Sequence, residues 1–588
     1  MRLPVLNGLK AAREMVTTFR GLNRMPQAGP GEWADMRNLT GTQFPTLAPR
    51  VPRGMVRKLT KPNGIFARDA LGWVDGEELY YGGELVGRVE DGPKRFVAMG
   101  AYVLVWPDKL QYNTATGVME SLEAETTTEG TVTYTLCRDD GSAYEAYETG
   151  GTPPDSPDDG QLWVDTRDTP HVLKQWSSMR GLWVSMPTTF VKISAEGIGA
   201  GFAAHDGVTI TGCEIETLNG DVLLYGADAD SVIVTGVIDQ TGTQETPVTI
   251  RRTVPDMDYI TEFGNRVWGC SSKNHEIYAC KLGDPKNWRC YAGLSTDSYA
   301  ATIGTPGDFT GAATHMGYVL FFKEDVIHKV YGFKPSNFEI TEVKARGVQK
   351  GSEKSLAVVN ETLYYKAAAS VCAYGTALPQ GISMALGTET GADAVAGTAG
   401  ELYYISMRGK DGWEMLVWDE RRGLWHREDD TEAMGFARVN GTLYCLRADG
   451  VLFTMDGTIG PYGDEEFAHV EGEAEGSYAG GRSATKRRQP PPEWMAETGD
   501  IGISSPDRKY VSKVTLRLTV GENALVRVWV QYDGGSWRNV DRMNPWGQRS
   551  VLVPIRPRRC DVMRIRLEGY GDFRLHALTK SVEGGSEL

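Results

Sequence analysis

Hydrophobic and polar positions alternate with period two in seven stretches of the chain, each bracketed by Gly, Asn or Asp. They are GEELYYGGELVG (76–87), GAYVLVWPDKLQYNTATG (100–117), GNRVWGCSSKNHEIYACKL (264–282), GYVLFFKEDVIHKVYG (317–332), NETLYYKAAASVCAYG (360–375), GELYYISMRGKDGWEMLVWDERRGLWHRE (400–428) and NGTLYCLRADGVLFTMDG (440–457). Alternation on both sides of a tight turn is the pattern of a β-hairpin. With Leu79, Val103, Val267, Val319, Leu363, Leu402 and Leu443 as equivalents, the steps are 24, 164, 52, 44, 39 and 41 residues. Steps of roughly 40–50 residues, built from four short strands, mark propeller blades. The pattern predicts an all-β chain with a β-propeller of about seven blades. A large β-sandwich also gives strand pairs, but not this regular spacing.

The step of 164 marks an insertion. The reading divides the chain into an N-terminal strap (1–54), a first part of the propeller (55–120), an inserted β domain (121–254), a second part of the propeller (255–465), a linker (466–489) and a C-terminal β-sandwich (490–588). The insert is rich in Thr, Val and Gly and carries Trp163, Trp176 and Trp183, which read as domain core rather than as a glycan platform. The linker is Gly, Glu and Ser rich and ends in the basic cluster Lys486, Arg487 and Arg488. From Trp494 the alternation returns, strictly in VSKVTLRLTV and VMRIRLEG, which predicts one buried and one cationic face. Helical period occurs only in NGLKAAREMVTTF (7–19).

The 41% hydrophobic, 10% aromatic and 24% charged residues are those of a folded soluble protein, which excludes wholesale disorder and fibrous repeats. Net charge is −15, the opposite of what gripping nucleic acid requires. The charge is also uneven. From Arg482 onward there are 19 basic and 12 acidic residues, leaving −22 on the rest. No apolar run approaches the ~18 residues of a membrane span. The start, MRLPVLNGLKAAREM, lacks the apolar core of a secretory signal, so assembly in a cytoplasm is expected.

Candidate chemistry is sparse. Cys270, Cys280 and Cys290 recur every ten residues, but each ends a short β segment and reads as a small core residue; none of the eight cysteines is in a CxxC pair. Asp228 and Asp230 begin something like a calcium loop, but Ile233 and Asp239 stand where Gly and Glu belong. YDGGSW (532–537) approaches the Asp-box of sialidase propellers, with Trp537 one position early, and reads as a hairpin turn. The eight histidines have no visible carboxylate or serine partner. The expectation is a non-enzyme with no cofactor and no bound metal. Carboxylate pairs drawn from different blades would leave no signature in the sequence.

FRGLNR (19–24), GEWADMRNL (31–39) and FPTLAPRVPR (44–53) resemble the opening of phage packaged-DNA stabilisation or tail-nozzle proteins, in which "D-M-x-N-L" precedes "P-x-L-x-x-R". Asp35, Met36, Asn38, Leu39, Pro45, Leu47 and Arg50 occupy those places; GDPKNW (283–288) and AETGDIG (496–502) are similar to further phrases of the same proteins. The resemblance implies a structural virion protein: a β-propeller tail component below the portal and adaptor, forming part of the DNA channel and helping retain packaged DNA. It implies a homo-oligomeric ring, commonly of six copies, with the portal, adaptor and other tail proteins as partners, and double-stranded DNA passing without sequence-specific binding. Low cationic charge suits such passage, because few phosphate counterions are displaced. The other reading is a receptor- or glycan-binding protein of the tail tip. The residues expected to dock a neighbouring acidic surface are Arg556, Arg558, Arg559, Arg564, Arg566 and Arg574, with Arg564, Arg566 and Arg574 lining one face.

Overall fold

The structure is a computed structural model and describes residues 11–26, 28–375, 377–387, 391–464, 491–504, 508–544 and 546–584. The linker and its Lys486–Arg488 cluster lie outside the described residues. Those described form β-strands and four short 3-10 turns. The fold is all-β: a seven-bladed propeller, an inserted β domain and a β-sandwich.

Seven four-stranded antiparallel sheets follow one another along the chain, spanning 62–88, 95–121, 259–302, 311–344, 357–381, 392–427 and 433–454. The last takes its fourth strand from the other end of the propeller sequence, where Gly54–Lys58 pairs with Val451–Thr454. The turns follow from residue type. Asn440 and Gly441 both adopt positive φ (49° and 88°) between Ala433–Val439 and Thr442–Arg447, the conformation that joins twisted strands in two residues. The first step of 24 was short for a local reason. Leu79 lies in the third strand of its sheet, whereas Val103 and the five later equivalents lie in the second.

The chain divides into two compact units, one of Met1–Lys94, Phe322–Ile327 and Val343–Leu588, the other of Arg95–Phe321 and His328–Glu342. Within the second unit, residues 124–252 build an eight-stranded and a four-stranded sheet around their own buried cluster, which includes Val132, Leu136, Val191, Val232 and Ile250. Trp163 is buried there and packs edge-on against Trp183, which in turn contacts Trp176. The insert starts and ends side by side, Ala124 opposite Arg252. Joining residue 123 to 253 through a short linker is therefore expected to leave a folded protein with one cooperative melting transition. Aggregation of that variant would make the segment part of the propeller core.

The sandwich belongs to the first unit, and both ends of the chain build it. One sheet runs Ala11–Val16, Phe573–Gly584, Lys509–Val520, Gly547–Val553; the other runs Trp33–Arg37, Trp494–Thr498, Met563–Tyr570, Leu525–Tyr532, Arg538–Met543. Two sequence expectations need correction here. The helical period of 7–19 gives a strand at Ala11–Val16, paired along its length with Phe573–Gly584; residues 7–10 lie outside the described residues. In so short a segment, pairing with a long neighbouring strand outweighs weak helical propensity. The sandwich is also not built from the C-terminal segment alone, because Trp33–Arg37 supplies an edge strand through Trp494–Thr498.

Candidate interaction face and polar joints

The six arginines expected to form one docking face do not share it. Arg564 and Arg566 sit two apart on Met563–Tyr570, between the buried Met563, Ile565 and Leu567. Arg574 sits on Phe573–Gly584, in the opposite sheet of the sandwich. Alternation fixes the outward side of each strand, but it does not say which sheet a strand joins. Arg556 and Arg558 are exposed on the preceding loop, with Arg558 over the Tyr532 ring at 5.9 Å, and Arg559 is half-buried.

Arg564 and Arg566 are also already neutralised within the chain. Arg564 Nε donates to Asp500 Oδ1 at 2.5 Å and its Nη1 to Glu497 Oε1 at 3.2 Å. Arg566 donates from Nε and Nη2 to Glu497 Oε2, at 3.1 and 2.9 Å. Its guanidinium lies 4.1 Å from the Trp537 ring, in the turn that resembled an Asp-box. The phrase AETGDIG thus supplies the acids that hold this face, and Ile501 bridges to Met563 beside them.

The N-terminal phrases build a second joint, in the first unit. Met36, Leu39 and Leu47 are fully buried, and Leu47 exchanges backbone hydrogen bonds with Leu575 of the sandwich. Asn38, at φ 54°, donates its side-chain amide to Glu493 O at 2.7 Å and accepts from Arg50 Nε at 2.8 Å. Arg50 reaches Asp429 at 3.3 Å; Arg53 binds Glu428 and Asp429 at 3.0 Å each and Thr431 Oγ1 at 2.7 Å. Burial alone would raise the Asp429 carboxyl, but Arg53 and Arg50 outweigh it and hold it below the usual range. Asp35 meets Arg427 at 3.3 Å, and Leu22 N donates to Trp425 O at 2.7 Å. Gly21 and Gly41 let the backbone pass this close: a Cβ on Gly21 would lie 2.3 Å from Trp425 O, and one on Gly41 2.7 Å from His426 Nε2.

The phrase GDPKNW builds a third joint, inside the second unit. Asn287 donates to Asp206 Oδ1 at 2.8 Å and to Asp284 Oδ2 at 2.6 Å, and it accepts from Gly207 N at 2.8 Å. Asp206 in turn pairs with the buried Arg252. The phrase therefore ties the blade at 259–302 to the insert.

No family model matches the chain, and no curated protein matches its sequence. Solved structures give only faint likenesses. Hsv2 of Kluyveromyces lactis is 11% identical over 47% of this chain and 66% of that one, with a TM-score of 0.24. BamB of Moraxella catarrhalis is 10% identical over 50% and 81%, at 0.20. An exo-β-1,3-galactanase of Phanerochaete chrysosporium, bound to β-1,3-galactotriose, is 10% identical over 55% and 94%, also at 0.20. At such scores these likenesses carry no weight for function.

Two further groups were invisible in the sequence. In the insert, His171 Nδ1 lies 2.5 Å from Asp239 Oδ1, and both line a cleft of about 760 Å3. This corrects the expectation that no histidine has a carboxylate partner: 68 residues separate the two, and only the folded insert joins them. Lys366 is buried, which pushes its amine down to about 8, and it donates to Gln349 Oε1 and the carbonyls of Ala367 and Ala368. All eight cysteines are buried and none is in a disulfide; burial pushes the Cys280 thiol up to about 12. Among the described residues no group of three or more His, Cys, Asp or Glu could hold a metal, and no helix is long and apolar enough to cross a membrane.

Proposed function

We propose that this chain is a structural virion protein of a phage: a ring-forming tail or nozzle component below the portal and adaptor, lining part of the DNA channel and helping retain packaged DNA. The proposal includes no catalytic step. One observation carries it. The phrases that resemble such proteins form three buried or half-buried joints, at Asn38–Arg50–Asp429, at Asp206–Asn287 and at Glu497–Arg566. Buried paired charges are costly to pull apart, which suits a component that must hold one geometry in a ring. The net charge of −15 suits a channel through which duplex slides.

A second reading, a receptor- or glycan-binding tail-tip protein, draws on the His171–Asp239 cleft of the insert. Electron micrographs of virions carrying a labelled chain separate the two. A ring on the tail axis is expected; label on peripheral spikes would sink the nozzle reading and favour the tail tip.

A further inference from the structure

The sandwich sheet that starts with Ala11–Val16 ends, three strands later, in Gly547–Val553, and each strand is antiparallel to the next. Among the described residues, neither outer strand pairs with anything on its far side. A strand edge left open presents a row of unpaired N–H and C=O groups, a template for another chain. Its side chains fit that use. Leu552 is 59% exposed, Trp546, just before the strand, 64%, and Met15 on the opposite edge 65%.

We infer that Gly547–Val553 of one copy pairs with Ala11–Val16 of the next, so that the sheet continues from subunit to subunit. This deepens the ring proposal and rests on it. The strand count argues for the arrangement. With four alternating strands the two edges run in opposite directions, so copies placed head to tail meet antiparallel and the alternation is unbroken. A head-to-tail contact of this kind generates a ring when its rotation closes.

Charge sets the register. Opposite the buried Leu516 and Leu518 stand Val551 and Arg549, so Arg549 projects on the core side of its edge. On the other edge Val16 faces Leu578 and Glu14 faces Lys580, again on the core side. Glu14 pairs with Lys580 at 3.1 Å through Oε2, its Oε1 is buried without a hydrogen-bond partner, and 41% of its side chain stays exposed at the edge. Setting Arg549 against the neighbour's Glu14 places Gln548 against Met15 on the outer side.

The test is a cross-link at that outer pair, in a Met15→Cys/Gln548→Cys variant. Within one subunit these positions are three strand spacings apart, about 14 Å, beyond the ~7 Å Cα limit of a disulfide. The native cysteines are all buried, so background is low. Mild oxidation is expected to give a ladder of covalent multimers on a non-reducing gel, ending at the ring size and lost on reduction, with the melting temperature unchanged. Arg549→Glu is expected to lower ring yield at least several-fold at low salt. Rings seen in micrographs without a ladder would overturn this pairing and leave the ring reading standing. Cross-linked dimers from Gln548→Cys alone would replace it with a two-fold contact. Monomers throughout, both from the purified chain and in assembled particles, would overturn the ring reading itself.

Discussion

Replacing Arg53 with methionine is expected to cost about 3–5 kcal/mol of unfolding free energy, because it strips a buried ion cluster of one cation and leaves its acids behind. Arg53 and Glu428 have 4% and 9% of their side chains exposed, and Asp429 14%. Arg50 alone, at 3.3 Å from Asp429 and 3.7 Å from Glu428, cannot compensate both carboxylates. Arg37→Ala is the comparison. Its bond to Asp430 joins two half-exposed side chains, at 48% and 50%, and such pairs contribute about 0–1 kcal/mol. Denaturant unfolding of both variants measures the difference. Equal losses would mean that the cluster does not hold the strap to the blades.

Acid should loosen the same joint, with a different residue responsible. His426 is buried beneath Gly21 and Gly41, neither ring nitrogen has a hydrogen-bond partner, and burial pushes its pKa down to about 4, with Asp419 raising it and Arg422 lowering it further. The unfolded chain takes up a proton on this histidine near the ordinary value of ~6.5, the folded chain only near 4. The stability is therefore fully present above the unfolded value and lost as pH falls through this window, by about 3 kcal/mol at most. His576, lowered by partial burial and by Arg574 and Arg517, acts with the same sign. Asp429 responds at lower pH, since its carboxyl is held below the usual range. Melting from pH 7 to 4 should fall more steeply for the natural protein than for His426→Leu. Parallel slopes would show that His426 reaches water when the protein is folded.

The hairpin pattern made the blades legible because each hairpin is local. A tight turn and period-two alternation suffice to place a strand pair, and seven such pairs at blade spacing give the architecture. The final closure was less visible. Gly54–Lys58 meets Val451–Thr454 across almost four hundred residues, and nothing in GMVRK names its partner. The same limit governed the docking face. The alternation in VMRIRLEG put Arg564 and Arg566 on one side, and they are there. Their acids come from elsewhere, Glu497 from the strand Trp494–Thr498 and Asp500 from just beyond it, and Arg574 went to the opposite sheet.

By itself the sequence determined what depends on neighbours along the chain: the hairpin strands and their turns, the insertion and the all-β class. Only the tertiary structure decided which strands share a sheet and which charges meet. Arg53 and Glu428 are 375 positions apart, His171 and Asp239 are 68. The physical reason is that a strand's side-chain period is satisfied by any partner that covers its apolar face. A buried charge, in contrast, is tolerable only beside the one group that neutralises it, and the packing of whole sheets brings that group into place.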